Sequence, residues 1–131
     1  FIILVQSSFF MHQSEIFDSF NNNANFNELD WINELDNDVP LSSIPIKYRS
    51  YTVCLQAVML DGENFEYVPL EHQTVELCNI AIENDSYAFT KIDGSRFTMT
   101  EMIQFYKLAY NRDRDVVNVI PQKYLQYLFL Q

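Results

Sequence analysis

Apolar residues in the central part of the chain recur at the spacing of one helical face. In residues 44–67, four of them fall at positions i, i+1, i+4 and i+5: Val53, Cys54, Ala57 and Val58. Residues 68–91 repeat this spacing with Leu77, Cys78, Ala81 and Ile82. The pattern predicts helices over residues 52–60 and 76–83, and strands are disfavoured because apolar–polar alternation is short.

These two stretches also align with each other without a gap, at a period of 24 residues. A third, more degenerate unit follows from Ile92 once four residues are inserted near 94–101. Its matching residues are Ala109, Asp113, Val117 and Ile120-Pro121, in place of Ala81, Asp85, Phe89 and Val68-Pro69. Because four residues make about one helical turn, we expect a third helix that is one turn longer at its start, with Thr98 and Glu101 forming a capping box. A fixed period of this kind is typical of stacked repeats.

Each unit is predicted to contain one helix of about ten residues followed by one or two single-turn helices. Thr74 is the candidate N-cap of the second helix. Asp61-Gly62 and Asn84-Asp85 supply turn residues after the helices. The Ile-Pro or Val-Pro pair that opens each of the first two units suits the first turn of a short helix.

Residues 11–43 lie outside the repeat and are predicted to form a helical cap. One helix is expected over Ser14–Phe20. A second is indicated by apolar residues at every third position, with Asn27 as its N-cap: Phe26, Leu29, Ile32 and Leu35. Repeat arrays need polar caps for solubility, and the aromatic run Tyr124–Phe129 is expected to cap the opposite end.

The length of 131 residues favours one domain. We therefore predict a single all-α domain over 1–131, with an acidic helical cap over 11–43 and a short stack of three helical repeats of about 24 residues over 44–131. An irregular helical domain without repeat stacking is the alternative. Residues 1–10 have two open interpretations: an upstream remnant ahead of a natural start at Met11, or an arm that packs on the body or on a second copy.

The second unit contains an ordered series of short motifs: Val68-Pro69, Thr74, Leu77-Cys78, Ala81-Ile82 and Asn84-Asp85. With this series, residues 44–92 resemble the short bacterial helical repeats of uncharacterised function that occur in bacterial effector-like and large-virus proteins. The resemblance covers about two units and extends weakly to a third. It implies a helical scaffold and brings no catalytic residues with it.

Charge is distributed unevenly along the chain, whose formal net charge is −10. Residues 1–46 hold seven acidic residues and no Lys or Arg, whereas residues 47–131 hold eleven acidic and eight basic residues. Binding to DNA, RNA or an anionic membrane requires clustered Lys and Arg, so direct contact with these partners is disfavoured. A basic protein surface is the favoured partner, and the plain alternative is net charge that keeps the protein soluble.

Motifs for catalysis are scarce, since the chain has no GxSxG, HExxH, Walker-type or GxGxxG pattern. The pairs Asp36/Asp38 and Asp113/Asp115 are interpreted as solvated turn charges, and His72 as a surface or hydrogen-bonded histidine. We therefore expect no enzyme activity, no cofactor and no metal site. The competing enzyme hypothesis would rest on Asp113 or Asp115 together with His72.

The only cysteines, Cys54 and Cys78, lie between apolar residues and have no histidine at metal-ligand spacing. Buried thiols of this kind indicate a reducing compartment, so a cytoplasmic location, or delivery into a host cytoplasm, is expected. The apolar run Phe1–Val5 is too short to span a bilayer, and no basic residue precedes it as in a signal peptide. No membrane association is expected.

The sequence thus predicts a non-catalytic protein-interaction module. The specific hypothesis is a small acidic inhibitor, immunity or effector-type protein, of bacterial or phage origin, that binds a basic surface of a bacterial or host protein. Its predicted binding residues are Glu28, Asp30, Trp31, Glu34, Asp36 and Asp38. Trp31 is included as an exposed anchor because it lies off the predicted apolar stripe. The alternatives are nucleic-acid mimicry by the same carboxylates and structural assembly, such as a homodimer, through the apolar termini.

Overall fold

A computed structural model describes residues 26–129, and every regular element within them is helical. The α-helices are α1 (Glu28–Asp36), α2 (Tyr51–Leu60), α3 (Val75–Asn84), α4 (Met99–Arg112) and α5 (Gln122–Leu128). The short 3₁₀-helices are Leu41–Ser43, Ile46–Tyr48, Gly62–Tyr67, Leu70–His72, Ser86–Lys91, Gly94–Arg96 and Arg114–Asn118. The all-α prediction is confirmed for this part of the chain. The predicted helix Ser14–Phe20 and the apolar run Phe1–Val5 lie outside it.

Helices α2, α3 and α4 begin after capping residues that are 24 positions apart. The hydroxyl groups of Ser50, Thr74 and Thr98 each accept a hydrogen bond from the backbone N–H three residues later. Glu101 in turn accepts from the Thr98 N–H at 2.9 Å, which confirms the predicted capping box. Helix α4 has 14 residues where α2 and α3 have 10, so the expected additional turn is present.

An aspartate follows each of these three helices and starts the next 3₁₀-helix: Asp61, Asp85 and Asp113. Its carboxylate accepts the backbone N–H two residues later, at 2.9, 3.1 and 2.9 Å respectively. Its own N–H donates to the carbonyl four residues earlier, at the end of the α-helix. One residue type therefore joins an α-helix to a 3₁₀-helix at each of these points.

The two predicted apolar stripes are fully buried, with all eight residues at 0% exposure. Helix α4 adds Phe105, Tyr106 and Ala109 to the same core. After α4, Val116 is buried, and Val117, which the sequence matches with the buried Phe89, is half-buried. Val116 lies three residues after Asp113, as the buried Ala88 lies three residues after Asp85.

The packing of the 3₁₀-helix Gly62–Tyr67 against the end of α3 requires glycine at position 62. A Cβ atom on Gly62 would lie 2.6 Å from the Cβ of Asp85 and 2.9 Å from its backbone nitrogen. Carbon atoms pack favourably only at about 3.5–4.0 Å. The absence of a side chain therefore lets the 3₁₀-helix Gly62–Tyr67 approach the end of α3.

Each α-helix packs on the next one in chain order, with α1 on α2, α2 on α3, α3 on α4 and α4 on α5. The 3₁₀-helices Gly62–Tyr67 and Ser86–Lys91 pack on these helices and on each other. Within residues 26–129, α1 and α5 therefore lie at opposite ends of the packing order.

The predicted stripe of α1 is confirmed at Leu35, and Phe26 and Ile32 pack partly buried against the core, but the stripe is wrong at Leu29. Trp31 and Leu35 are buried, at 1% and 3% exposure, whereas Leu29 is 63% exposed. Residues three apart fall back by about 60° per step around an α-helix, so a run at every third position cannot stay on one face, and the i, i+4 pair does. The Trp31 ring packs against Phe26 and Tyr48, with centroid distances of 4.5 and 5.4 Å. The prediction of an exposed anchor at Trp31 is wrong.

Candidate functional site

The five predicted carboxylates lie on α1 or just after it, but they differ in exposure. Three are exposed, Glu28, Asp36 and Asp38, while Asp30 and Glu34 are half-buried. Residues 26–46 contain no Lys or Arg. We use the name acidic surface for the exposed residues of this segment that the proposals below depend on, namely Glu28, Leu29, Asp36 and Asp38.

Asp30 has a local role at the start of α1. Its backbone N–H donates to the side-chain oxygen of Asn27 at 3.0 Å, and its own carboxylate accepts from the Asn27 N–H at 2.9 Å. This reciprocal pair is a capping box. The predicted N-cap at Asn27 is therefore confirmed, and we assign Asp30 to helix initiation.

Glu28 and Asp36 connect α1 to α2 at two points. The Glu28 carboxylate accepts a hydrogen bond from the hydroxyl of Ser50, the N-cap of α2. The Asp36 carboxylate accepts from Nε2 of Gln56 at 3.1 Å. Both side chains remain exposed, so each carboxylate can contact a partner while it holds the two helices together.

Asp38 has a left-handed backbone conformation, with φ at 68°. Aspartate and asparagine tolerate this conformation better than other residues with side chains. The turn is fixed by a hydrogen bond from the Asp38 N–H to the Leu35 carbonyl, at 3.0 Å. It directs the chain from α1 to the buried Val39 and leaves the Asp38 carboxylate exposed at the edge of a shallow cleft of about 240 Å³.

Leu29 is the residue of this surface that the sequence reasoning missed. It is 63% exposed, and the exposed residues Asn33 and Asp36 follow it on the same helical face, four and seven positions later. The i, i+4 pair Trp31 and Leu35 marks the opposite face, and its burial in the structure is what distinguishes that face from the stripe that the sequence suggested. An exposed aliphatic side chain on a helix that also exposes carboxylates gives the surface an apolar contact point.

The two cysteines have little capacity for nucleophilic chemistry. Burial raises the pKa of the Cys54 thiol to about 11, against an opposing effect of the Arg49 charge. Burial likewise raises the pKa of Cys78 to about 12, against Arg96. Because the thiolate is the reactive form, both residues are core residues rather than candidate nucleophiles.

The residues of the enzyme hypothesis have structural contacts of their own. His72 lies 3.7 Å from Glu71 and packs edge-on against the Tyr51 ring, with centroids 6.2 Å apart. Asp113 accepts the Asp115 N–H at the start of a 3₁₀-helix. Within residues 26–129, no group of three or more His, Cys, Asp or Glu side chains is placed to hold a metal ion.

No helix among the described residues combines the length and apolar character needed to cross a bilayer. In comparisons with known proteins, no family model, no curated protein and no solved structure matches the chain. The resemblance of residues 44–92 to short bacterial helical repeats therefore stays a prediction.

Proposed function

We propose that the protein is a non-catalytic interaction module whose acidic surface binds a basic surface of another protein. The observation that carries this proposal is that α1 and the turn after it expose Leu29 and three carboxylates, in a segment without a single base. Charge complementarity speeds association and selects the partner. An apolar side chain buried at the centre of the contact adds affinity.

The position of α1 favours this role. It packs on α2 and lies at one end of the packing order, so a partner can approach its outer face without displacing α2. We interpret the following helices as a repeat scaffold and the segment 26–43 as its acidic cap, since a terminal unit needs a polar outer face. Within this function, we favour a small inhibitor, immunity or effector-type protein acting in a bacterial or host cytoplasm.

A basic protein surface fits α1 better than a site that normally holds nucleic acid. The nine residues of α1 extend over roughly 14 Å, which is the length of about four base pairs at 3.4 Å each. The outer face also presents Leu29 where a mimic of phosphates would need charge. Mimicry is therefore the second candidate and becomes an outcome of the test.

The test is affinity capture with the full chain from lysates of the source organism and its host, at rising salt. The first variant combines Glu28→Gln, Asp36→Asn and Asp38→Asn. The amides retain acceptors for Ser50 and Gln56, and asparagine tolerates the left-handed conformation at position 38. We expect a partner that the parent retains at physiological salt to be lost by this variant.

The matched control combines Glu63→Gln, Glu71→Gln and Glu83→Gln, which removes the same charge from exposed positions elsewhere. We expect the control to retain the partner, and high salt to release it, because exposed charges are screened beyond about 8 Å at physiological ionic strength. Retention by both variants would contradict the proposal. Release of the partner by added DNA, together with loss in the first variant, would favour mimicry.

A further inference from the structure

The opposite end of the packing order carries a second exposed cluster of different chemistry. Phe129, directly after α5, is 63% exposed and packs edge-on against the Tyr110 ring, with centroids 5.6 Å apart. The guanidinium of Arg114 lies 4.6 Å from the centre of the same ring and donates a hydrogen bond to the Tyr110 hydroxyl at 3.1 Å. We call Tyr110, Arg114 and Phe129 the aromatic–basic cluster.

Basic residues outnumber acidic ones in the segment that carries this cluster: residues 107–129 contain Lys107, Arg112, Arg114 and Lys123, against two acidic residues. Residues 116–129 contain Lys123 and no acidic residue. The two acidic residues, Asp113 and Asp115, lie on either side of Arg114 in the sequence. The Asp113 carboxylate accepts a hydrogen bond from the Asp115 N–H. Arg114 is exposed, so its charge remains available to an acidic partner.

We infer that the aromatic–basic cluster is a docking surface for the acidic surface of a second copy of this chain. The inference rests on the proposed function, since it names one partner of the same acidic surface. The two surfaces are complementary: Phe129 offers an apolar contact for Leu29, and Arg114 offers a guanidinium for the carboxylate of Asp36. Arginine and aromatic residues are also the types enriched at interface hot spots.

The contact has to form between molecules, because the two surfaces lie at opposite ends of the packing order. A contact between two different surfaces is heterologous, and it continues into an open chain unless the rotation between copies closes a ring. The net charge of −10 on each copy opposes association. At physiological ionic strength, however, exposed charges are screened beyond about 8 Å. The short-range contacts at the interface therefore determine whether two copies associate.

The test is sedimentation velocity of the full chain at physiological salt over a series of protein concentrations. One variant, Arg114→Glu with Phe129→Ser, disables the cluster, and a second, Leu29→Lys, disables the acidic surface. We expect the average mass of the parent to rise with concentration and each variant alone to stay monomeric. An equimolar mixture of the two variants retains one intact surface of each kind, so it is expected to form dimers and nothing larger.

Circular dichroism of each variant checks that it is folded, and Phe129→Ala with Leu29→Ala forms a milder pair for the same mixing experiment. A monomeric parent over the whole series would overturn the inference, as would association of either variant like that of the parent, or a mixture that stays monomeric. If the parent is monomeric yet its acidic surface still captures a basic protein, self-docking fails while the proposed function stands. A parent that neither associates with itself nor captures a basic protein would contradict both the self-docking and the proposed function.

Discussion

Arg49 and Gln73 occupy corresponding positions 24 residues apart and make the same hydrogen bond. Nε of Arg49 donates to the Ile44 carbonyl at 2.7 Å, and Nε2 of Gln73 donates to the Val68 carbonyl at 2.9 Å. Each bond joins residues that are five positions apart. It closes the backbone around a proline and the short 3₁₀-helix that follows the proline. Arg49 also donates to the Tyr67 carbonyl, whereas Oε1 of Gln73 is buried without a hydrogen-bond partner.

Gln73→Glu removes the amide donor and places a carboxylate at a site that is only 6% exposed. We expect the free energy of unfolding to fall by about 2–3 kcal/mol at pH 7. Burial raises the pKa of the introduced carboxyl above its unfolded value of about 4.3. The loss of stability therefore reaches its full size above the pKa that this carboxyl has in the folded protein. It becomes smaller as the pH falls, because the protonated carboxyl can donate a hydrogen bond to the Val68 carbonyl. Urea unfolding of variant and parent at pH 7 and pH 4.5 measures this, and an equal difference at both pH values would contradict it.

Truncation of Trp31 should lower the free energy of unfolding far more than truncation of Leu29. Trp31→Ala removes a buried ring, so we expect unfolding free energy to drop by about 3–5 kcal/mol. Leu29→Ala changes an exposed side chain and should shift it by less than about 0.5 kcal/mol. Denaturant unfolding of both variants decides the matter, and comparable destabilisation by the two changes would mean that the described face of α1 is wrong.

Gly62 and Gly94 form a matched pair that tests the close packing of the 3₁₀-helix Gly62–Tyr67 on the end of α3. A Cβ on Gly94 would meet only the flexible end of Met102, at 3.4 Å, whereas one on Gly62 meets backbone and Cβ atoms of Asp85. We expect Gly62→Ala to lower the melting temperature, because overpacking reduces the free energy of unfolding by about 1–3 kcal/mol. Gly94→Ala should change the melting temperature little. A larger decrease for Gly94→Ala than for Gly62→Ala would contradict the close approach of residues 62–67 to α3.

The two thiols should be protected while the protein is folded. With pKa values of about 11 and about 12, the thiolate fraction of either at pH 8 is on the order of a thousandth or less. Alkylation by iodoacetamide at pH 8 should therefore be slow for Cys54 and Cys78 in the native protein and fast in denaturant. Mass spectrometry counts the modified thiols, and rapid double labelling without denaturant would show that the stripes are not packed as described.

The sequence was sufficient where the determining contacts are local. The predicted caps Thr74 and Thr98 act within three positions of themselves, and the buried stripes follow from helical periodicity. The face of α1 could not be derived in this way, because the burial of Trp31 depends on Tyr48, which lies 17 residues further along the chain.

The candidate site was predictable in its charge but not in its apolar contact. The concentration of carboxylates around α1 is a property of composition, so Glu28, Asp36 and Asp38 were identifiable directly. Leu29 became identifiable only once Trp31 and Leu35 defined the buried face. The structural roles of Glu28 and Asp36 also needed coordinates, since their acceptor bonds reach across to α2.

The most direct measurement of the acidic surface is the rate of association with the captured partner, followed by interferometry at low and physiological salt. The variant Glu28→Gln/Asp36→Asn/Asp38→Asn is compared with the control Glu63→Gln/Glu71→Gln/Glu83→Gln, which has the same net charge. We expect the first variant to associate about tenfold more slowly than the parent at low salt, and the control to stay close to the parent. Equal slowing in both variants would show that net charge, and not the acidic surface at α1, governs binding.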